Sequence, residues 1–408
     1  MDSNSHHLYF GHIHLSSFVA MASRSGADVN IGKPIRCKAA ICRKAGEPLV
    51  IEEVELEPPK AWEVRIKILC TALCHSDVTY WKMNLGPAAK FPRILGHEAV
   101  GVVESMGEHV EEFKEGELVV PVFFRDCGEC RSCKSPKSNV CSKFGNETIH
   151  NMPRDGTSRF RDMKGETVYH LLSVSSFSEY TVVDVTHLVK INPQIPLHMA
   201  CLLSCGVSTG VGAAWKVADV EEGSTVTIFG LGTVGLAVAV AAKQRGASKI
   251  IGVDINNEKF EIGKKFGITD FVNPSTCKEK SVSEVIKEMT KGGADYCFEC
   301  IGLASLMADA VNSSRDGWGK TVILGVEMHG SPLTLNPYQI LRGRTIIGSL
   351  FGGIKPKSDI PFLAKKYLDK ELSLDGFISH EVGFEDINKA FDYLLGGKSL
   401  RCIIRMDH

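Results

Sequence analysis

No run of about 18 apolar residues occurs anywhere in the 408-residue chain, so nothing in it has the length to cross a bilayer as a helix. Neither charge is in excess. The 47 Lys and Arg against 48 Asp and Glu leave a net charge of −1, which argues against a nucleic acid or an anionic membrane as partner and for a small molecule. Signals for secretion are also scarce. The segment ending Ala20-Met21-Ala22 imitates a signal-peptidase site, but no Lys or Arg precedes it and its apolar run is short. Large apolar residues are few before residue 35, and residues 1–34 read as a disordered extension, with Met21 an alternative start of translation.

Cysteine is plentiful, at 14 residues. In a short secreted chain this would mean a disulfide framework; in a long chain with clustered spacings it points to metal ligation in a reducing, cytoplasmic setting. The length itself exceeds what one hydrophobic core usually serves, so two domains are expected. Residues 35–206 carry short β-rich runs, as at 63–69, 99–105 and 117–122, broken by Gly, Pro and acidic turns in the manner of a β-barrel. From 207 to 350 the pattern changes to apolar strands at 225–229, 249–253, 294–298 and 320–326. Helical stretches such as 233–245 and 259–266 separate them, as in βαβ units around a parallel sheet. Residues 351–408, with helical patterns at 359–369 and 384–396 and a strand at 399–405, are expected to return to the first domain.

Three motifs carry chemistry. Gly230-Leu231-Gly232-Thr233-Val234-Gly235 follows a strand and opens a helix, and a second strand ends in Asp254. That arrangement gives a tight turn, a backbone open to a pyrophosphate and an acid for the adenosine ribose, and the acid favours NAD over NADP. Cys127, Cys130, Cys133 and Cys141 supply four thiolates within fifteen residues, which suits closed tetrahedral zinc. Cys74, His97 and Cys205 are dispersed; a Cys/His/Cys set of this kind is the recipe for zinc with one position open for substrate, while each residue singly also reads as a buried core cysteine or a hydrogen-bonded histidine.

Together with Cys74-His75-Ser76-Asp77, Gly96-His97-Glu98, Ser204-Cys205-Gly206 and Phe351-Gly352-Gly353, these motifs resemble the zinc-containing medium-chain alcohol dehydrogenase family over nearly the whole chain. The resemblance implies an α/β architecture with a GroES-like β-barrel catalytic domain and a doubly wound Rossmann domain. Also implied are NAD, two zinc ions per chain and a homodimer. It places catalytic zinc on Cys74, His97 and Cys205 with Glu98 nearby, makes Asp77 the partner that orients His97, and makes Ser76 the first acceptor of the alcohol proton. His75 and Arg401 match cofactor phosphate contacts, Lys259 a position near the adenosine ribose, and Thr209 and Val234 residues pressing on the nicotinamide. Phe123, Leu171 and Leu172 match apolar pocket positions, which implies a hydrophobic alcohol, aldehyde or ketone. Thr79 stands where many members end a proton relay with His or Tyr. Among other activities, a specialised-metabolism reductase is compatible with the motifs. Glutathione-dependent formaldehyde dehydrogenase is disfavoured, because Gly145 occupies the place of its substrate-binding arginine. The cinnamyl-alcohol branch usually favours NADP and lacks an acid at Asp254. A zinc-binding relative without catalysis would have been free to lose ligands that are all present here.

Overall fold

The computed structural model describes residues 32–144, 152–277 and 279–406; the expected extension therefore lies, but for residues 32–34, outside them, as does Gly145. Two mainly antiparallel sheets form the first part. One runs Arg93–Ile94, Ile35–Cys42, Val50–Leu56, Phe160–Asp162, Thr167–Val168. The other is organised around Glu63–Leu73, an eleven-residue strand buried on both faces, which pairs with Glu98–Met106 on one side and with Tyr180–Asp184 and Arg401–Arg405 on the other. Such continuous burial requires a largely apolar strand, and Val64, Ile66, Ile68, Ala72 and Leu73 supply it; the buried polar residues are paired, Glu63 with Arg159, Arg65 with Glu104, and Thr71 with the Glu98 carbonyl.

The second part is a six-stranded parallel sheet in which Thr225–Phe229 lies between Lys249–Val253 and Tyr296–Glu299; Asp270–Val272, Lys320–Ile323 and Thr345–Gly348 complete it. Strand order reverses beside Thr225–Phe229, and this doubly wound pattern opens a crevice at the carboxyl ends of the strands there. The expected α/β class, barrel and Rossmann sheet are present, and several boundaries differ. The strand expected to run through 326 ends at Ile323, after which the Leu324 and Gly325 amides both turn to the Glu299 carbonyl instead of continuing the ladder. The helix expected over 384–396 begins as a short 3-10 turn and is regular only over Ile387–Leu395. Strand Ile378–Gly383 escaped the sequence pattern. It pairs in parallel with the terminal strand Arg401–Arg405, a long-range contact that local periodicity does not report.

No helix among the described residues is long and apolar enough to cross a membrane.

Candidate active site and metal centres

Register brings the dispersed ligands together. Ala72 pairs with Glu98 across the barrel sheet, so Cys74, just past the end of one strand, meets His97, just before the start of its neighbour. On the other side Cys402 pairs with Leu73, which delivers Arg401 to the same place. Cys205 arrives from the residue preceding helix Gly206–Gly212. One ligand atom each from Cys74, His97, Glu98 and Cys205 falls within 4.8 Å of the others, and all four residues are buried.

Asp77 fixes two ligand-bearing segments at once. Its Oδ2 accepts from the Cys74 amide at 3.0 Å, closing a capping box on helix His75–Lys82. Its Oδ1 accepts from the Gly96 amide at 3.0 Å and pairs with His97 Nδ1 at 2.9 Å. The ring's other nitrogen, Nε2, is buried without a hydrogen-bond partner. A buried nitrogen of this kind ordinarily costs stability unless it binds something. Cys205 donates to Cys74 and, with Arg401, holds the Cys74 thiol well below its ordinary value, while the same contact and burial push Cys205 up. Two sulfurs this close do not both ionise without a cation. The donor set and the unpartnered nitrogen thus both fit zinc.

Glu98 and Arg401 complete the cluster. Arg401 Nε and Nη2 donate to the two Glu98 oxygens at 2.9 Å each, Nη2 to Cys74 Sγ at 3.2 Å, and Nη1 to Thr233 Oγ1 at 2.7 Å. Burial pushes the Glu98 carboxyl up to about 7 although Arg401 opposes it. Arg401, expected to be a cofactor phosphate contact, lies among the ligands and reaches Thr233 in the first helical turn after the glycine loop, at the lining of the crevice. Thr233, a member of the glycine motif, ties the two domains by donating to the Leu400 carbonyl at 2.9 Å.

The four-cysteine loop closes on itself. Its sulfurs also lie within 4.8 Å of one another, with the Cys130 and Cys133 amides directed at Cys127 and Cys130 Sγ at 3.3 and 3.4 Å. Burial works against ionising Cys130, yet hydrogen bonds from Ser142 and the backbone bring it down to about 5, and Cys133 is pushed up by burial and by Cys130. A second zinc fits this closed thiolate set, which leaves no open position.

In the crevice, Gly230 has φ +92°, and a Cβ on Gly235 would sit 2.0 Å from the Gly230 carbonyl oxygen, so neither position accepts a side chain. A Cβ on Gly232 would meet nothing within 4 Å. Gly232 lines a cavity of about 810 Å³ with His75, Thr233 and Lys259, so its backbone is free to face a diphosphate at the helix N-terminus. Asp254 directly follows the neighbouring strand. Its Oδ2 accepts from the Leu231 amide and from Lys259 Nζ, both at 2.9 Å, and its Oδ1 from the Asn256 amide at 2.9 Å. Thr209 lies on helix Gly206–Gly212, which crosses helix Thr233–Gln244 at Gly210; a Cβ there would be 2.3 Å from the Val234 carbonyl oxygen.

Ser76 Oγ lies 3.9 Å from Cys74 Sγ, beside the ligand set, while the Thr79 hydroxyl is turned away and donates to the His75 carbonyl at 3.0 Å. Phe123 stands edge-on to His97 with ring centroids 5.8 Å apart. Leu171 and Leu172 are buried in the barrel core cluster, with which Phe123 also packs. Phe351, in the sequence only one residue of the Phe351-Gly352-Gly353 motif, closes on Phe123 at 5.0 Å.

A buried Cys/His/Cys pocket that fits a metal, set against a dinucleotide crevice, defines a zinc-dependent dehydrogenase. Residues 60–193 match the alcohol dehydrogenase GroES-like domain and residues 233–377 the zinc-binding dehydrogenase domain. The chain is 65% identical to alcohol dehydrogenase-like 2 of Arabidopsis thaliana, covering 93% of this chain and 99% of that one. It is 51% identical to alcohol dehydrogenase 1 of Petunia hybrida, covering 92% and 98%. Among solved structures, benzyl alcohol dehydrogenase of Acinetobacter calcoaceticus superposes with a TM-score of 0.82 at 28% identity, covering 91% of this chain and all of that one. The chain belongs to the zinc-containing medium-chain alcohol dehydrogenase family, and it is an NAD-dependent oxidoreductase with zinc and NAD as its cofactors.

Proposed function

We propose that the protein interconverts a hydrophobic alcohol and its aldehyde or ketone with NAD, at the pocket formed by Cys74, His97, Glu98 and Cys205. The observation that carries this reading is His97 Nε2, a buried nitrogen lacking a partner beside the apolar Phe123 ring. When bound, zinc supplies the positive charge that acidifies an alcohol hydroxyl, and the nicotinamide accepts hydride. The chain's own residues then do the following. Ser76 receives the hydroxyl proton. Thr79, which has no group titrating near neutral pH and donates to the His75 carbonyl, makes onward relay to solvent slower or sends it by another route. Asp77 keeps His97 in one tautomer, Arg401 holds Glu98 off the ligand position, and Phe123 excludes water. Steady-state assays on aliphatic, aromatic and terpenoid alcohols with zinc-replete protein test the reading. Absence of NAD reduction with all of them would overturn it.

Cofactor choice rests on Asp254. Its carboxylate would accept from the adenosine ribose, whereas the extra phosphate of NADP would meet like charge, a juxtaposition costing several kcal/mol. Asp254→Ser removes that repulsion and releases Lys259 from its present partner. We expect KM for NAD to rise roughly tenfold or more, the loss of one charge-assisted contact being worth about 1.5–3 kcal/mol. The kcat/KM ratio of NAD to NADP should fall towards or below unity. Kinetics with both cofactors on one alcohol check this, and an unchanged ratio would remove Asp254 from the role.

The protein is further proposed to act in the cytoplasm as a homodimer. Strand Thr345–Gly348 is the edge of the parallel sheet, and apolar Leu303, Val326, Tyr338, Leu341 and Ile347 are exposed in this part of the molecule. An uncovered edge with apolar neighbours favours pairing with a second copy. Light scattering should give twice the chain mass, and Ile347→Lys should shift it towards one.

A further inference from the structure

Residues 350–354 reverse the chain between the edge strand of the cofactor domain and helix Pro356–Leu368. Three consecutive residues there are left-handed: Phe351 (φ 58°, ψ 27°), Gly352 (φ 63°, ψ 22°) and Gly353 (φ 70°). Glycine adopts this conformation freely, but a bulky aromatic residue does not, so the turn needs an external restraint. The restraint comes from a distant lobe. Asn139, between the third and fourth cysteines of the zinc loop, donates from Nδ2 to the Leu350 carbonyl at 2.8 Å and to the Ile354 carbonyl at 3.2 Å, the two ends of the turn. Lys355 Nζ reaches back to the carbonyls of Cys133 at 2.7 Å and Ser135 at 2.5 Å.

What the turn holds faces the reacting centre. The Phe351 ring, 2% exposed, packs against Phe123 at 5.0 Å and Phe124 at 5.9 Å, and Phe123 in turn flanks the ligand His97. Gly352 lies so close to helix Gly206–Gly212 that a Cβ would sit 2.1 Å from the Thr209 carbonyl oxygen. The side chain of Asn139 is thus two packing steps from a metal ligand and one backbone contact from the helix that follows Cys205.

We propose that Asn139 is a positioning residue for the reaction: its amide clamps the left-handed turn and thereby sets Phe123 against His97 and the substrate. The four-cysteine lobe then has a task besides stability, because it carries the donor that orders the wall of the active site. The proposal rests on the alcohol reading above for its substrate but not for the clamp itself.

The test uses the zinc-loaded full chain and the variants Asn139→Ala and Asn139→Asp; the latter keeps the shape but replaces two N–H donors with a carboxylate that repels both carbonyls. Amide hydrogen exchange over residues 350–354 should quicken roughly tenfold in Asn139→Ala, and further in Asn139→Asp, as expected for two lost hydrogen bonds. Exchange over residues 127–141 and a zinc content of two per chain should not change. On an aromatic alcohol, Asn139→Ala should lower kcat/KM roughly tenfold in wild-type background but less than about threefold in Phe123→Ala background, because the effect travels through that ring. Asn139→Ser, which retains one donor, should recover part of the loss. Unchanged exchange at 350–354 overturns the clamp. Quickened exchange with an equal kinetic loss in both backgrounds overturns the positioning role. The exchange arm decides the clamp even if no alcohol is turned over, a result that would count against the alcohol reading alone.

Discussion

Cys205→Ala is expected to lower turnover roughly a thousandfold or more while leaving the fold and NADH binding nearly intact. The metal held there is asked to supply several kcal/mol of charge stabilisation, and each 1.4 kcal/mol lost is about a tenfold loss in rate. With Cys205 gone, Cys74 and His97 remain as firm ligands, since Glu98 is held by both of its oxygens on Arg401. Two ligands in an open pocket retain zinc poorly. The truncated side chain is small and, although buried, lies outside the large hydrophobic clusters of both parts, so collapse of the fold is not the expected cause. Metal analysis should give one zinc per chain instead of two, and titration of NADH fluorescence should give an affinity within about threefold of wild type, well under 1 kcal/mol of difference. Two zinc ions per chain in the mutant would remove Cys205 from the ligand set.

The opposite pattern is expected of Cys130→Ser. A closed thiolate site contributes to folding outright, and the loop that carries it has little apolar surface to hold it otherwise. Only Cys141 of the four cysteines is fully buried, and the helix between the second and third spans just Arg131–Lys134. Loss of the site should cost about 3 kcal/mol or more, which in a domain of this size lowers Tm by roughly 6 °C or more. The clamp described above adds a second consequence. Asn139 is released with the lobe, so activity should fall before global unfolding, with the catalytic zinc still bound. Calorimetry paired with metal analysis checks both points, and wild-type Tm together with two zinc ions would refute the structural role.

Local chemistry was legible in the chain because it is written in short spacings. Four cysteines within fifteen residues, three glycines within six, and an acid at the end of the next strand each act over a distance that the backbone itself fixes. The alternation of strands and helices after residue 225 likewise announced the parallel sheet, and the structure shows it. Other features depend on register between strands far apart in sequence. Arg401 beside Cys74 follows from a terminal strand pairing with one that begins more than 330 residues earlier, and strand Ile378–Gly383 is specified only by the neighbour it meets. The sequence by itself determined a closed four-thiolate site and a dinucleotide loop, because their residues fall within fifteen and six positions, whereas the dispersed Cys74, His97 and Cys205 entered only through the resemblance to a family. Only the tertiary structure decided that Asp77 serves two ligand segments, that Arg401 restrains Glu98, and that a zinc-loop asparagine braces the wall of the active site. In each of these the side chain's role is set by the partner that long-range packing presents to it, and no local pattern encodes that partner.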